Sequence, residues 1–283
     1  MTGTLYICAT PIGNLGDMTF RTVNTLKNVD LIAAEDTRHS RILLDHFEIN
    51  VPITSYHEHN KYEKAEYLVG RLSQGVDIAL ITDAGTPVIS DPGEVLVKAC
   101  VEAGIPVTSL PGPCACITAL TVSGLSARRF CFEGFIPQDN KERREVLERL
   151  HSETRTTIFY EAPHHLKQTL SEIEKSVGGD RSIALCRELT KVYEDIWRGS
   201  IEDAIAYYKE ATPKGEYVIV VSGRSKEEID AEKTERWEKI PLQDHLRQYL
   251  SQGLSRKEAM KMMASDRGCS RRDIYQLLLE ADS

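Results

Sequence analysis

The sequence predicts an α/β protein of two α/β units followed by a small helical segment. Three observations carry this. Apolar, β-branched runs of strand length recur along residues 4–222; segments with apolar residues at helical spacing fall between them; and the chain closes on two capped helices around a glycine. Strands alternating with helices of this length build a parallel or mixed sheet. The units read as 1–122, 123–223 and 224–283.

In order along the chain, TLYICATPIGN (4–14) starts as a strand and breaks at Pro11 and Gly13. VDLIAAEDTRHSR (29–41) is an apolar strand followed by a burst of charge at Glu35, Asp36, Arg38, His39 and Arg41. Residues 61–74 place Ala65, Leu68, Val69 and Leu72 on one helical face, with Gly75 as the stop. IALIT (78–82) is a strand, and DAGTPVISDPG (83–93) follows it. In this loop Gly85 and Gly93 permit close approach or positive φ, while Pro87 and Pro92 hold the chain open. Such a rim of free amides and carbonyls, at the end of a parallel strand, is where ligands gather; the same residues also spell an ordinary Gly/Pro turn. A helix over 94–103, the strand IPVTSL and the turn-helix PGPCACITAL complete the first unit.

SGLSARR (123–129) reads as a boundary. Strands are then expected at 130–135, 156–162, 182–189 and 216–223, and helices at 141–151, 165–177 and 201–209. Beyond Gly223 a charged run suggests a solvated linker or helix. Ser255 with Glu258 and Ser270 with Asp273 spell two helix starts either side of Gly268, resembling a helix-turn-helix. This is the most basic end of the chain, with Arg256, Lys257, Lys261, Arg267, Arg271 and Arg272. It suits an RNA-contacting domain or a helical pair packed on another protein surface.

Composition narrows the function classes. The chain has 283 residues, 41% of them hydrophobic, and a formal net charge of −8. That charge argues against coating nucleic acid through bulk electrostatics but leaves local recognition of RNA open. No apolar run approaches the ~18 residues of a membrane span, and the start lacks a signal-peptide pattern, so the cytoplasm is expected. The seven cysteines form no CxxC pair and read as reduced core residues; Cys114 and Cys116 without a neighbouring His make no metal site. GxGxxG, the P-loop, GxSxG and HExxH are all absent.

Nine ordered blocks carry a resemblance: TPIGNLGD (10–17), AAEDTRHS (33–40), SYHEHN (55–60), ITDAGTPVISDPG (81–93), LPGPCACITAL (110–120), FEGFIP (132–137), FYEAPHH (159–165), CRELTKVYE (186–194) and KGEYVIVV (214–221). Together they resemble the tetrapyrrole methylase superfamily, nearest to its branch that methylates a cytidine 2′-oxygen of bacterial small-subunit ribosomal RNA. One position departs, His165, where that pattern has Arg. The resemblance implies two α/β domains with S-adenosylmethionine in the cleft between them, and a homodimer. It implies donor contacts at Pro11, Gly85, Thr86, Ile89, Cys114, Ala115, Tyr160, Leu189 and Gly215.

A ribose hydroxyl is a poor nucleophile, so a base or a cation favouring the alkoxide is needed. Lys191 or Glu161 is expected to handle the proton, with Asp36, Arg38, His39, His57, Asn60 and Arg187 gripping phosphate or base. Against these roles stand local ones, including a Glu161–Arg187 pair and capping by His57. Two other functions remain open at this stage: a C-methyltransferase acting on a tetrapyrrole or corrinoid, and a non-catalytic RNA-binding assembly protein.

Overall fold

The structure, a computed structural model, describes residues 1–281. It divides into two compact units, residues 1–150 with 155–222, and residues 151–154 with 223–283.

The first unit holds two five-stranded sheets. One is wholly parallel in the order β3-β2-β4-β1-β5, from β1 (Leu5–Cys8), β2 (Leu31–Ala34), β3 (Ile53–Ser55), β4 (Ile78–Ile81) and β5 (Val107–Leu110). Its central strands are apolar on both faces, as burial under helices on either side requires. Leu5, Ile7, Ile78 and Leu80 pack with Leu68 and Leu72 of α3 (Lys61–Ser73) and Leu96 of α4 (Gly93–Glu102). Their alternates Cys8, Ala79 and Ile81 meet Leu26 of α1 (Phe20–Asn28) and Leu44 of α2 (Thr37–His46).

The other sheet runs β6-β7-β10-β8-β9, from β6 (Phe130–Phe135), β7 (Thr156–Glu161), β8 (Ser182–Arg187), β9 (Asp195–Ser200) and β10 (Tyr217–Val221). Only its β6–β7 pair is parallel, so the sheet is mixed. One face buries Phe159, Leu185 and Ile219 under α6 (Asn140–Ser152), α7 (Leu166–Val177) and α8 (Ile201–Glu210). The opposite face, Ile158, Ala184, Cys186, Val218 and Val220, is covered by Cys116, Ala119 and Leu120 of α5 (Ala115–Ser123). Thus α5 follows the first sheet in the chain but packs on the second, which brings the turn before it to the cleft between the sheets.

Among the strands and α-helices of this unit, four escape the sequence reading for identifiable reasons. β9 pairs with β8 alone at the sheet edge and carries charge, so its apolar signal is weak. β3 is three residues long. α1 and α2 have short apolar stripes, and α2 begins inside the charged burst because Asp36 is its N-cap, accepting from the Arg38 amide at 2.8 Å. Gly93 is the first residue of α4 rather than a positive-φ position; a Cβ there would lie 2.7 Å from Asp91 Oδ1 and 2.9 Å from Leu80 Cδ2.

The second unit carries α9 (Lys226–Glu238), α10 (Leu242–Ser251), α11 (Arg256–Asp266) and α12 (Arg271–Ala281), so the expected helical pair is part of a larger helical cluster. Ser255 and Glu258 make the capping box that their spacing predicts, and Ser270 and Asp273 exchange the same two bonds. Leu246, Met260, Met263, Ile274 and Leu278 form its core. Beside them His245, fully buried, stacks on Trp237 with ring centroids 3.8 Å apart. Arg267 Nε donates to its Nδ1 at 3.2 Å, which directs the Nε2 proton to Asp266 Oδ2 at 3.3 Å, an oxygen that Tyr249 Oη also reaches. Among the described residues no helix is long and apolar enough to cross a membrane.

Burial lowers the His245 pKa below its ordinary value; Asp266 opposes this and Arg267 adds to it. The unfolded chain therefore binds the proton more readily, and the stabilisation, complete above the unfolded pKa of 6.5, declines as pH falls from there toward the folded value. The protection factors of amides across α10–α12, measured against the intrinsic exchange rate at each pH, are expected to fall as pH is lowered from about 7.5 to about 5, and in His245→Gln the part of this dependence due to the imidazole disappears.

Candidate active site

The site is built on the carboxyl ends of the first sheet's strands. The loop after β1 and the loop after β4 are tied by a two-residue bridge: Thr10 N donates to Gly85 O at 2.9 Å and Gly85 N to Thr10 O at 3.1 Å. Thr10 Oγ1 adds a bond to Thr82 O at 3.0 Å. Gly85 sits at φ +84°, a conformation that favours glycine, and a Cβ there would be 3.2 Å from Ile12 Cγ2. Thr86 Oγ1 donates to Pro113 O at 2.8 Å, joining the loop after β5 to the same rim. Cys114 then takes the N-cap position of α5 without a side-chain capping bond, and the Cys116 thiol 3.4 Å away, followed by the amides of that helix end, lowers the Cys114 pKa.

Two cavities open on this rim. The first, about 360 Å³, is lined by Ile12, Ala84, Ala115, Phe135, Tyr160–Pro163, Cys186, Glu188, Leu189, Lys191 and Glu216–Val218. Tyr160 stands on the α5-facing side of β7, its Oη accepting from Cys116 N at 3.2 Å and its ring edge-on to Phe132 and Phe135. The second, about 520 Å³, lies among Pro11–Gly13, Leu15, His39, Ser40, Ile42, Leu43, His46 and Thr82–Ala84. Ile12, Ala84, Lys191 and Glu216 line both, so they form a shared wall.

Lys191 is the cation of that wall. Its Nζ donates to Glu188 Oε1 at 3.0 Å and to Glu216 Oε2 at 2.8 Å, and Glu188 Oε1 also accepts the Glu216 amide at 2.8 Å. Partial burial pulls the Lys191 pKa down, but the two carboxylates outweigh it and the net direction is up. Burial likewise pushes Glu188 up, and the Glu216 amide and Lys191 bring it below its usual value. An ammonium so held acts as a fixed positive charge rather than as a base.

The structure gathers the expected residues unevenly. Ala115, Tyr160, Leu189, Glu161 and Lys191 line the first cavity; Pro11, His39 and again Lys191 line the second. Gly85, Thr86 and Cys114 support the rim just described. Gly215, at φ +76°, leaves the space that Glu188 occupies. Ile89 is 43% exposed and lines neither cavity. Asp36 is held to Arg38 at 3.0 Å and His57 to Asn60 through its amide at 2.8 Å, all four outside both cavities.

Glu161 and Arg187 lie on β7 and β8, each in register with Tyr217 of β10 between them, and their side chains bond other partners. By alternation Glu161 faces α7, where its carboxylate accepts from Thr169 Oγ1 at 2.5 Å and from Ala162 N at 2.8 Å. Arg187 donates to Tyr193 O, and its buried Nε has no partner. His165 is the N-cap position of α7, without a side-chain capping bond.

Sequence reasoning missed Glu188, Glu216, Ser40, Ile42 and His46. Glu188 is legible only in hindsight of its backbone: with Thr190 it takes positive φ (48° and 67°), as Val88 and Ser90 do in the opposite loop (79° and 62°). Such conformations cost about 1–3 kcal/mol each and collect at functional sites. Among the described residues no group of three or more His, Cys, Asp or Glu is arranged to hold a metal ion.

Comparison with known proteins adds to this geometry. Residues 4–205 match the family described as Tetrapyrrole (Corrin/Porphyrin) Methylases. The chain is 49% identical over 281 residues to the ribosomal RNA small subunit methyltransferase I of Synechocystis sp., covering 99% of both chains. It is 46% identical to the protein of that name from Bacillus subtilis, over 96% of this chain and 93% of the other. Of solved structures, diphthine synthase superposes with a TM-score of 0.62 at 12% identity, covering 79% of this chain and 91% of that one. Uroporphyrin-III-C-methyltransferase from Thermus thermophilus gives 0.54 at 18%, covering 78% and 94%. The two solved structures share the fold.

Gly215 and Gly104 both have positive φ, but only Gly215 is crowded, with a Cβ there meeting Glu188 Cγ at 2.4 Å against open space at Gly104. Gly104→Ala is expected to cost about 1 kcal/mol in urea unfolding, and Gly215→Ala about 1–3 kcal/mol more, because Glu188 must move.

Proposed function

The chain belongs to the tetrapyrrole (corrin/porphyrin) methylase family, and on that premise we propose that it transfers a methyl group from S-adenosylmethionine to the 2′-oxygen of a cytidine in small-subunit ribosomal RNA. The observation that carries this is 49% identity to a small-subunit methyltransferase over 99% of both chains. The reading includes a homodimer, as the resemblance implies, working in the cytoplasm.

The first cavity suits the methyl donor. Its apolar walls, Ile12, Ala115, Leu189 and Val218, match an adenosyl group, and the loops beside them present main-chain donors and acceptors. Thr190 Oγ1, buried without a hydrogen-bond partner, lies in the loop whose Leu189 and Lys191 line the cavity. S-adenosylmethionine supplies an electrophilic methyl carried on a sulfonium. The chain's part is to place the ribose at the shared wall, where orientation alone is worth roughly 7–11 kcal/mol.

There the Lys191 ammonium stabilises the developing alkoxide, Glu188 and Glu216 hold it in place, and the hydroxyl proton is released to solvent water as the oxygen takes the methyl. Glu161 acts from behind, anchoring the end of β7 to α7 through Thr169. Against a tetrapyrrole, the second cavity sets the carboxylates of Asp83 and Glu216 on its wall beside one lysine, a poor welcome for a macrocycle bearing many carboxylates.

The test is incubation of labelled S-adenosylmethionine with small subunits, free ribosomal RNA and porphyrinogens. Label in subunit RNA, recovered as an alkali-resistant dinucleotide containing cytidine, is the expected result; label in porphyrinogen alone would sink the reading. In Lys191→Met the transfer rate is expected to fall by about 10²-fold or more while donor affinity by calorimetry is retained.

A further inference from the structure

The second cavity contains groups that the transfer step leaves unused, and the chief of them is Ser40. This residue is 2% exposed, and its Oγ has no hydrogen-bond partner. Its amide bonds Asp36 O at 2.9 Å in the ordinary helical way, so the hydroxyl is idle on a regular helix. A buried hydroxyl left unpaired is unfavourable, which makes an idle one on a cavity wall a group for a ligand to bond.

Three further features converge on the same space. Asp83 gives one carboxylate oxygen to the Asp36 amide at 3.1 Å, which leaves the second for a ligand. Leu15 and Ile42 line the cavity yet are 45% and 71% exposed, apolar surface with nothing over it. His39 and His46, on the same helix, add two imidazoles to the lining. A flat, edge-polar ligand with apolar faces satisfies this set.

We infer that the second cavity receives the base of the target nucleotide turned out of the RNA, and that Asp83 and Ser40 read its polar edge as cytosine. This rests on the function proposed above. The shared wall dictates the placement: with the ribose at Lys191, the attached base has the adjoining cavity to enter. Enzymes that modify nucleotides inside folded RNA or DNA commonly take the target out of its stack and read it by edge bonds and apolar contact. A carboxylate accepts from the exocyclic amine of cytosine and repels the carbonyl that uracil has in its place. Ser40 Oγ serves as donor to a ring acceptor, while Leu15 and Ile42 cover the faces.

The test measures kcat/KM for small subunits lacking the modification, with donor affinity by calorimetry and Tm for each variant. Ser40→Ala, Asp83→Asn and Ile42→Trp are expected to bind donor as the parent does and to lose about tenfold or more in kcat/KM for subunits. Asp83→Asn should also narrow the preference for cytidine over uridine at the mapped position. Ile42 is exposed, so Ile42→Trp blocks the mouth without touching the core and keeps the test decisive if another variant folds poorly. Parental kcat/KM in Ile42→Trp and an unchanged base preference in Asp83→Asn overturn the pocket assignment. A parent protein that labels no subunit RNA overturns the function itself, and is told apart because it precedes every variant.

Discussion

The bridge between Thr10 and Gly85 is the constraint on which the site depends. Parallel strands end in loops that have no reason to meet, since each leaves the sheet for a different helix. Here two backbone bonds and the Thr10 hydroxyl fasten the β1 loop to the β4 loop, and Thr86 fastens that loop to Pro113. The consequence is a continuous rim in which Ile12 and Ala84 are side by side, and both cavities take their shared wall from it. Main-chain bonds are suited to this purpose because they fix the backbone itself, leaving side chains free for a ligand.

Opposite that rim, the loop after β8 does the same work with charge. Glu188 and Thr190 bend it through positive φ, and Glu188 secures both Lys191 and the start of β10 through the Glu216 amide. The pairing explains why Gly215 cannot carry a side chain: the space is filled by the carboxylate that orients the lysine. A partly buried ion network gains little net stability, since desolvation offsets attraction. Its value here is in direction, holding one positive charge at the boundary between two cavities.

The fold was legible where periodicity was strong. Strands such as 78–82 and 216–223, and the helices over 61–74 and 201–209, announce themselves because both faces or one broad stripe are buried. What stayed hidden had weak local signals: β9 is a charged edge, β3 is short, and α2 begins in a cluster of charge that serves as its cap. The rim residues Gly85, Ala115, Tyr160 and Lys191 stood out through their ordered blocks. Glu188, Glu216 and Ser40 did not, because a glutamate or serine becomes special only through a neighbour distant in the chain. Glu188 meets Glu216 28 positions on, and no spacing rule reaches that far.

The end of β7 shows how a strand can serve two masters. Tyr160 and Glu161 are adjacent, and alternation sends them to opposite faces: the phenol toward α5 and the first cavity, the carboxylate toward α7. Burial raises the Tyr160 pKa, so it stays a neutral phenol against the Cys116 amide. Behind it Glu161 joins Thr169, and Thr169 also accepts from Arg143, which pairs with Glu172, so the cavity wall is braced from its far side by a polar network spanning α6 and α7. A carboxylate inside a functional block can therefore brace the cavity wall to which its own residue belongs, and strand parity decides which neighbour its carboxylate bonds.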